Sequence, residues 1–393
     1  MRWAIFENIM TPGGHEVEFD RMLVLELQKA GQEVSFCVPE DFTFAVDYQV
    51  SVHRLSGQTI TYTGAKGLTK IVRSVKREWY RQKWYKELLD LAEKRLVDVI
   101  IVPTASFRYV RALVNNPLKK TPIPLIFLLH GMRPQDAPKF FAAAEKLLPY
   151  ANVRLAVLNF TDDVLGKKLP NVHTVLPPTY LPRDISWSPE REGRARLQEF
   201  AAGHGGVLKL GFLGQYRREK RLEDFMSIFA AARYARDVKL IVQGSTIDPR
   251  DKESFAEIMR TYANDKRIEF WPYSLKGAQW QQAIADMDAI LMPYSAPRYR
   301  YQCSGMLFTA LGSEKPVVTS DDLNPEVFQK YKVGATFKSG DMQELARCVE
   351  DFINTFDAKA ALYSRELSRA AQDFAPENLV GQLLELANLK NAD

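Results

Sequence analysis

Apolar and polar positions alternate along this chain in blocks rather than residue by residue. In the first half, short runs rich in Val, Ile, Leu and Phe fall at residues 2–6, 34–38, 97–102, 125–129, 153–158 and 172–176. They lack the strict alternation of a sheet with one wet face, so they read as strands of a parallel sheet covered on both sides. Stretches with helical spacing separate several of them, at 16–30, 71–94 and 138–148. Gly31 stands where a helix C-terminal cap is expected.

The rhythm breaks between 177 and 206, where Pro177, Pro178, Pro182, Pro189, Gly203, Gly205 and Gly206 cluster. It then restarts, with strands expected at 209–213, 238–243, 268–271, 289–292, 316–319 and 335–337. Helices are expected at 222–234, 252–264, 279–285, 305–312, 324–332 and 342–355. A last helical pattern covers 378–389. The expectation is an α/β chain with an amino-terminal domain over 1–185 and a linker over 186–206 containing a short helix at 190–200. A second domain covers 207–375, and a terminal helix in 376–393 packs back on the first domain.

At 393 residues, two domains with sizeable cores are affordable, and no low-complexity tract interrupts them. The longest apolar runs, such as 124–129, are too short to span a bilayer. The opening Met1-Arg2-Trp3-Ala4-Ile5-Phe6 is interrupted too soon by Glu7 and Asn8 to act as a signal peptide. Cys37, Cys303 and Cys348 form no CxxC pair, which suits a reducing compartment and argues against structural zinc. A cytoplasmic protein is expected. The net charge of +5 is too weak to imply a nucleic-acid partner. Its distribution says more: residues 66–95 are dense in Lys and Arg, interleaved with Trp79, Tyr80, Trp84 and Tyr85. Such a helix either rests on an anionic membrane or is solvated with its aromatics turned inward.

Four segments carry candidate chemistry. Thr11-Pro12-Gly13-Gly14-His15-Glu16 lies between a strand and a helix, where Gly13 and Gly14 let backbone amides approach an anion. The bland alternative is a tight turn. Gly211-Phe212-Leu213-Gly214 repeats that layout and runs into Arg217, Arg218, Lys220 and Arg221. Helix starts prefer acidic residues, so cations there imply a compensating anion, with Lys220 and Arg217 the preferred pair. Third, Ser304 is an N-cap whose following amides, at Gly305 and Met306, can hold a phosphate, with Arg298 and Arg300 in reach. Fourth, His130 ends a buried strand, where a side chain can meet a substrate hydroxyl or move a proton. Gln243, Tyr273, Tyr294 and Thr309 complete the expected donor-binding set. Asp286-Met287-Asp288 has the look of a metal-binding DxD but sits at the start of a strand, the wrong end, so no metal is assigned. Two strand–loop–helix units of this kind suggest two Rossmann-like domains facing across a cleft, with a phosphorylated ligand between them.

In order along nearly the whole chain, these residues resemble the retaining GT-B glycosyltransferases of the large family-4 type. The matching pieces are the Gly13-Gly14 loop with its helix ending Ala30-Gly31, and Phe212-Leu213-Gly214 with the basic run to Lys220. The third piece is Asp288 to Tyr294, then Ser304-Gly305-Met306-Leu307 and Glu314-Lys315-Pro316. The resemblance implies a nucleotide-sugar donor seated mainly on the second domain. It places Lys220 at the family lysine on the diphosphate and Gly14 at the glycine near the phosphate. It also makes His130 the histidine at the transferred sugar. The family arginine falls on Gln215, so Arg217 or Arg218 substitutes. Two glutamates common in the family fall on about Tyr301 and Thr309, neither acidic.

The implied activity is metal-independent, retaining transfer from a nucleotide-sugar to a glycan or lipid-linked acceptor. Lys220, Arg217 and the Ser304-Gly305 helix start stabilise the departing diphosphate, and peripheral membrane contact runs through 66–95. Three alternatives stand beside it: an inverting enzyme using His15, Glu16 or Asp20 as base, a non-catalytic binding homologue, and an epimerase of the same fold.

Overall fold

The computed structural model describes residues 1–10, 15–60, 67–180, 188–246, 248–275, 277–295 and 297–389. The Gly13-Gly14 loop therefore lies outside the described residues, as does residue 66, while the basic 66–95 stretch is helical from Gly67 to Glu93. The chain divides into two compact units, 1–178 with 376–393, and 179–375.

In the first unit, β1 (Arg2–Phe6), α1 (His15–Lys29), β2 (Glu33–Pro39), β3 (Ser51–Leu55), α2 (Gly67–Glu93), β4 (Val99–Ala105) and α3 (Phe107–Val114) come first. They are followed by β5 (Leu125–Leu129), α4 (Ala137–Leu147), β6 (Val153–Leu158) and β7 (Val172–Val175). All seven strands pair in parallel, in the order β3-β2-β1-β4-β5-β6-β7. Every residue of β5 and β6 is buried, which is why these strands read as unbroken apolar runs. At the edge, β3 (Ser-Val-His-Arg-Leu) buries only Leu55 and carries no such run, so the pattern does not reveal it. Gly31, at φ +73°, ends α1 as expected: its amide reaches Gln28 O at 2.9 Å and the Gln32 amide reaches Leu27 O at 2.9 Å.

The second unit opens with α5 (Pro189–Ala201), in the segment expected to be linker. Ser188 caps it, its Oγ accepting from the Arg191 amide at 3.3 Å. The helix packs on its own unit: Arg196 Nε donates to Asp288 at 3.0 Å and Arg194 pairs with buried Glu314. Then come β8 (Leu208–Phe212), α6 (Leu222–Ala231), β9 (Val238–Gln243), α7 (Pro249–Tyr262), β10 (Ile268–Trp271), α8 (Ala278–Ala285) and β11 (Ala289–Met292). The unit closes with α9 (Gly305–Gly312), β12 (Val317–Ser320), α10 (Pro325–Lys330), β13 (Gly334–Phe337), α11 (Met342–Asn354) and α12 (Phe356–Asp373). Its six strands are parallel in the order β10-β9-β8-β11-β12-β13.

The last helix, α13 (Pro376–Asn388), returns to the first unit and packs on α1 and β5. The Leu176 amide donates to Gln382 Oε1 at 3.1 Å, and Arg154 donates to the Leu389 carbonyl at 3.3 Å. Among the described residues no helix is long and apolar enough to cross a membrane.

Candidate active site

Each sheet has one point where successive crossovers change direction, between β1 and β4 in the first and between β8 and β11 in the second. The carboxyl ends of the strands on either side leave a crevice there, the usual ligand seat of open α/β sheets.

In the second unit the chain leaves β8 through Leu213 and turns at Gly214, whose φ of +106° suits glycine alone. The Gly214 amide donates to Gln243 Oε1 at 2.7 Å, and Gln243 Nε2 donates to the Tyr273 carbonyl at 2.6 Å. Gln243 is 2% exposed with both ends of its amide engaged. Its part is to fix the turn, where direct donor contact was expected.

Beyond Gly214 a short 3-10 turn (Arg218–Lys220) and Arg221 in the left-handed region (φ +51°) fold the basic run back on the strand end. Lys220 Nζ sits 5.6 Å from the Phe212 ring centroid and 5.4 Å from that of Tyr294. A Cβ built on Gly214 would lie 3.7 Å from Lys220 Nζ and 3.7 Å from Met306 Cε. The glycine turn, the lysine and the first turn of α9 therefore meet at one spot.

Ser304 caps α9 as expected. It is buried, its Oγ accepts from the Leu307 amide at 3.4 Å, and its own amide donates to Asn324 Oδ1 at 3.0 Å. Asn324 also donates to the carbonyls of Tyr299 (2.9 Å) and Gln302 (3.2 Å), which pins the loop before the helix. Sequence reasoning did not single out Asn324; its place before Pro325 looks only like a cap. The Gly305 and Met306 amides in that first turn have no acceptor within the helix, and the helix end carries partial positive charge.

Two arginines join this cluster. Arg217 donates to Gln215 Oε1 at 3.1 Å, and Arg298 donates to the Tyr299 hydroxyl at 3.1 Å with its guanidinium 4.8 Å from that ring centroid. Both charges bear on the buried Tyr294 hydroxyl. Burial dominates there and pushes its pKa up, with Arg298 and Arg217 pulling the other way.

The structure gives the other expected residues different partners. Arg218 is turned outward onto Asp251 of α7 at 3.3 Å, and Arg300 pairs with Asp322 at 3.7 Å. Consecutive side chains on a tight turn diverge, so a run of cations cannot all face one anion. Thr309 donates its hydroxyl to the Gly305 carbonyl at 2.8 Å, one helical turn back on α9. The Tyr273 ring is exposed and stacked on Trp271, with centroids 6.5 Å apart and planes at 15°. Asp288 of the DxD is buried, accepting from Arg196 and from the Lys209 amide at 2.8 Å.

In the first unit, His130 follows β5, and its Nε2 is 2.8 Å from the Pro103 carbonyl, which only accepts, so that nitrogen carries the proton. Its ring lies 4.7 Å from that of Phe19. Nearby in the fold, at the end of β1, Glu7 is 2% exposed; it accepts from the Asn8 and Ile9 amides at 2.6 Å each and from the Thr104 hydroxyl at 2.8 Å. Burial pushes its carboxyl up to about 7 against those hydrogen bonds. Asp20 on α1 is also buried and is raised well above the carboxylate range, by burial first and then by Glu7 and Glu16. Glu7 was missed in the sequence; the available signal is a carboxylate directly after the first strand at the switch point. The His15 side chain lies outside what the structure describes.

The glycosyl transferases group 1 family matches residues 208–355, the stretch holding Gly214, Lys220 and Ser304. Residues 208–355 thus form a glycosyl transferases group 1 domain within the second unit. Over its whole length the chain has the GT-B glycosyltransferase fold. Covering 98% of both chains, it superposes on HepE of Anabaena in complex with UDP and glucose at a TM-score of 0.66 with 14% identity. A glycosyltransferase from Rickettsia africae ESF-5 gives 0.70 at 11% identity, covering 100% of this chain and 99% of that one. The catalytic domain of starch synthase IV from Arabidopsis thaliana, bound to ADP and acarbose, gives 0.64 at 12%, covering 98% of each. No curated protein sequence matches the chain.

Proposed function

We propose that this glycosyltransferase moves a sugar from a nucleoside diphosphate donor to a glycan or lipid-linked acceptor, with retention of configuration and without a metal ion. The observation that carries the reading is the convergence of Lys220 and the first turn of α9 on the Gly214 turn, beside Tyr294, whose hydroxyl also feels the charges of Arg217 and Arg298. Breaking the anomeric bond leaves negative charge on the diphosphate, and preoriented cations and amides stabilise that charge most where it develops. UDP in HepE and ADP in starch synthase IV support a nucleoside diphosphate as the leaving group. The exposed Tyr273–Trp271 stack offers a platform for the base. His130, proton fixed on Nε2, is assigned to the transferred sugar. Retention rests on the family resemblance alone.

The test is donor turnover and nucleotide affinity of Lys220→Ala. Unchanged values for both would remove Lys220 from the role. Product stereochemistry by NMR checks retention, and full activity in excess EDTA checks metal independence.

The raised proton affinity of Asp20 beside Glu7 favours one second reading, an inverting enzyme with Asp20 as general base. An inverted product whose formation is lost in Asp20→Asn would establish it.

The reading extends to a membrane surface. Leu68, Ile71, Val72, Val75 and Trp79 form one stripe on α2 and are between 59% and 81% exposed, while Lys70, Arg73, Lys76 and Lys83 lie around it. An apolar stripe ringed by cations is complementary to an anionic bilayer, where the chain would find a lipid-linked acceptor. Sedimentation with phosphatidylglycerol vesicles tests it; no co-sedimentation at low salt would refute it.

A further inference from the structure

Helix α2 is built with two opposite polarities. In its carboxy-terminal half the buried face is apolar: Trp84, Tyr85, Leu88 and Ala92. Over the roughly three turns before it the same face carries Lys70, Ser74, Arg77, Glu78 and Arg81, and these line a cavity of about 550 Å³ against α3 and α4. Arg108 and Arg111 of α3 and Lys139 of α4 line it from the other side. Six cations thus surround one cavity with a single carboxylate, Glu78.

Lys70, Arg108, Arg111 and Lys139 are exposed and water screens their repulsion, whereas the buried Arg81 loses its hydration and is costly there unless an anion compensates. Arg81 makes the point individually. It is 2% exposed, one Nη donates to Glu78, and its guanidinium lies 4.4 Å from the Tyr109 ring centroid. Its Nε, also buried, has no hydrogen-bond partner. Arg81 lines the cavity while this N–H stays buried and unsatisfied, so a small outward shift of the side chain would let an anion in the cavity satisfy it. The amino-terminal end of α3 contributes positive partial charge, since Ser106 makes no side-chain cap there.

We propose that this cavity is a binding site for a phosphate-bearing group, of two or more negative charges, distinct from the donor diphosphate site of the second unit. Arg81 supplies the buried fork, and Arg108, Arg111 and Lys139 supply the accessible charge. The cavity has room for a diphosphate with an attached group. Its inner wall leads to the first unit's switch point: the Tyr109 hydroxyl donates to Asn8 Oδ1 at 2.6 Å, and the Asn8 amide donates to Glu7. Under the proposed function, on which this last step rests, the site anchors the phosphate of an acceptor.

The experiment uses the full chain carrying Lys220→Ala, which weakens the donor site, and the cavity variants are made in that background so that any change between them is read at the cavity. Calorimetric titration with inorganic pyrophosphate should show saturable binding. Arg111→Glu with Lys139→Glu, both exposed and safe for folding, should weaken it at least about tenfold, equivalent to about 1.4 kcal/mol. Arg81→Gln should weaken it similarly with a retained cooperative melt. Phosphatidylcholine vesicles containing phosphatidic acid separate the sources. If the ligand is a lipid headgroup, vesicle binding falls in the double variant and pyrophosphate competes with it. If it is a soluble phosphate, pyrophosphate binding falls and vesicle binding stays. Either result supports the site. Absence of pyrophosphate binding to the Lys220→Ala protein, or equal affinity in the double variant, overturns it. Transfer activity is not read in either titration, so failure of the glycosyltransfer reading leaves this test intact.

Discussion

The ε-amino group of Lys220 stands 5.4 Å from the ring centroid of Tyr294, although 74 positions in sequence separate them at the two sides of a switch point. β8 and β11 are neighbours in the sheet, so the loop after each must share the space above their ends. Lys220→Ala is expected to lower kcat/KM by about 10²–10³-fold, the range for losing one preorganised charge partner of a leaving group. Lys220→Arg should recover part of it. Steady-state kinetics with a UDP-sugar and an ADP-sugar series reads both.

Not every cation of the run matters equally. Arg218 and Arg300, paired to Asp251 and Asp322 on partly exposed surface, are expected to change kcat/KM by less than about threefold when replaced by Gln. Arg217→Gln and Arg298→Gln should cost tenfold or more. A reversed order, measured side by side, would move the site.

Gly214→Ala is expected to destabilise by about 1–3 kcal/mol through backbone strain at φ +106°. The space beside it is adequate, with nothing nearer than 3.7 Å to the added carbon. Urea unfolding reads the stability, and a parallel loss of nucleoside diphosphate affinity checks that the turn shapes the site.

Two further glycines separate crowding from propensity. A Cβ on Gly193 of α5 would come within 2.2 Å of the Ser313 carbonyl oxygen, so Gly193→Ala should cost about 1–3 kcal/mol. Gly381, inside α13, has nothing within 4 Å, so Gly381→Ala should stabilise by about 0.5–1 kcal/mol. Opposite shifts in melting temperature are the expected outcome.

Glu7 sets a pH dependence. Its carboxyl holds a proton up to about 7 in the folded state against an ordinary value of 4.5. Between those two values the native chain binds more protons than the unfolded one, so this group makes stability fall as pH rises from 4.5 to 7. Above 7 the contribution is constant. The slope is up to about 1.4 kcal/mol per pH unit for one proton. Glu7→Gln should flatten it, as read from unfolding midpoints across that window.

Much of the architecture was legible because parallel strands buried on both faces announce themselves as apolar runs, as β5 and β11 do. The edge strand β3 was not, since Ser51, Val52 and Arg54 face outward or half outward and bury nothing continuous. Helix α12 was missed because 356–373 spreads its apolar residues among charges and alanines. At the site, Gly214, Lys220 and Ser304 were readable as a turn, a misplaced cation and a cap. Which arginines turn inward was not readable, because that depends on Asp251 and Asp322, carboxylates supplied by distant loops and helices. The Arg81 cavity was invisible for a similar reason, being made by helices that meet only in three dimensions, whereas Glu7 left one signal, a carboxylate directly after the first strand, but not its burial against Thr104.

The return of α13 to the first unit means the chain enters the second unit once and leaves it once, after 178 and after 375. No one cleavage point therefore yields two whole halves. A fragment stopping at 178 would bare the apolar ground beneath Leu379, Val380 and Leu383, and a stop codon near 375 would injure the amino-terminal half, some two hundred residues upstream of the lesion.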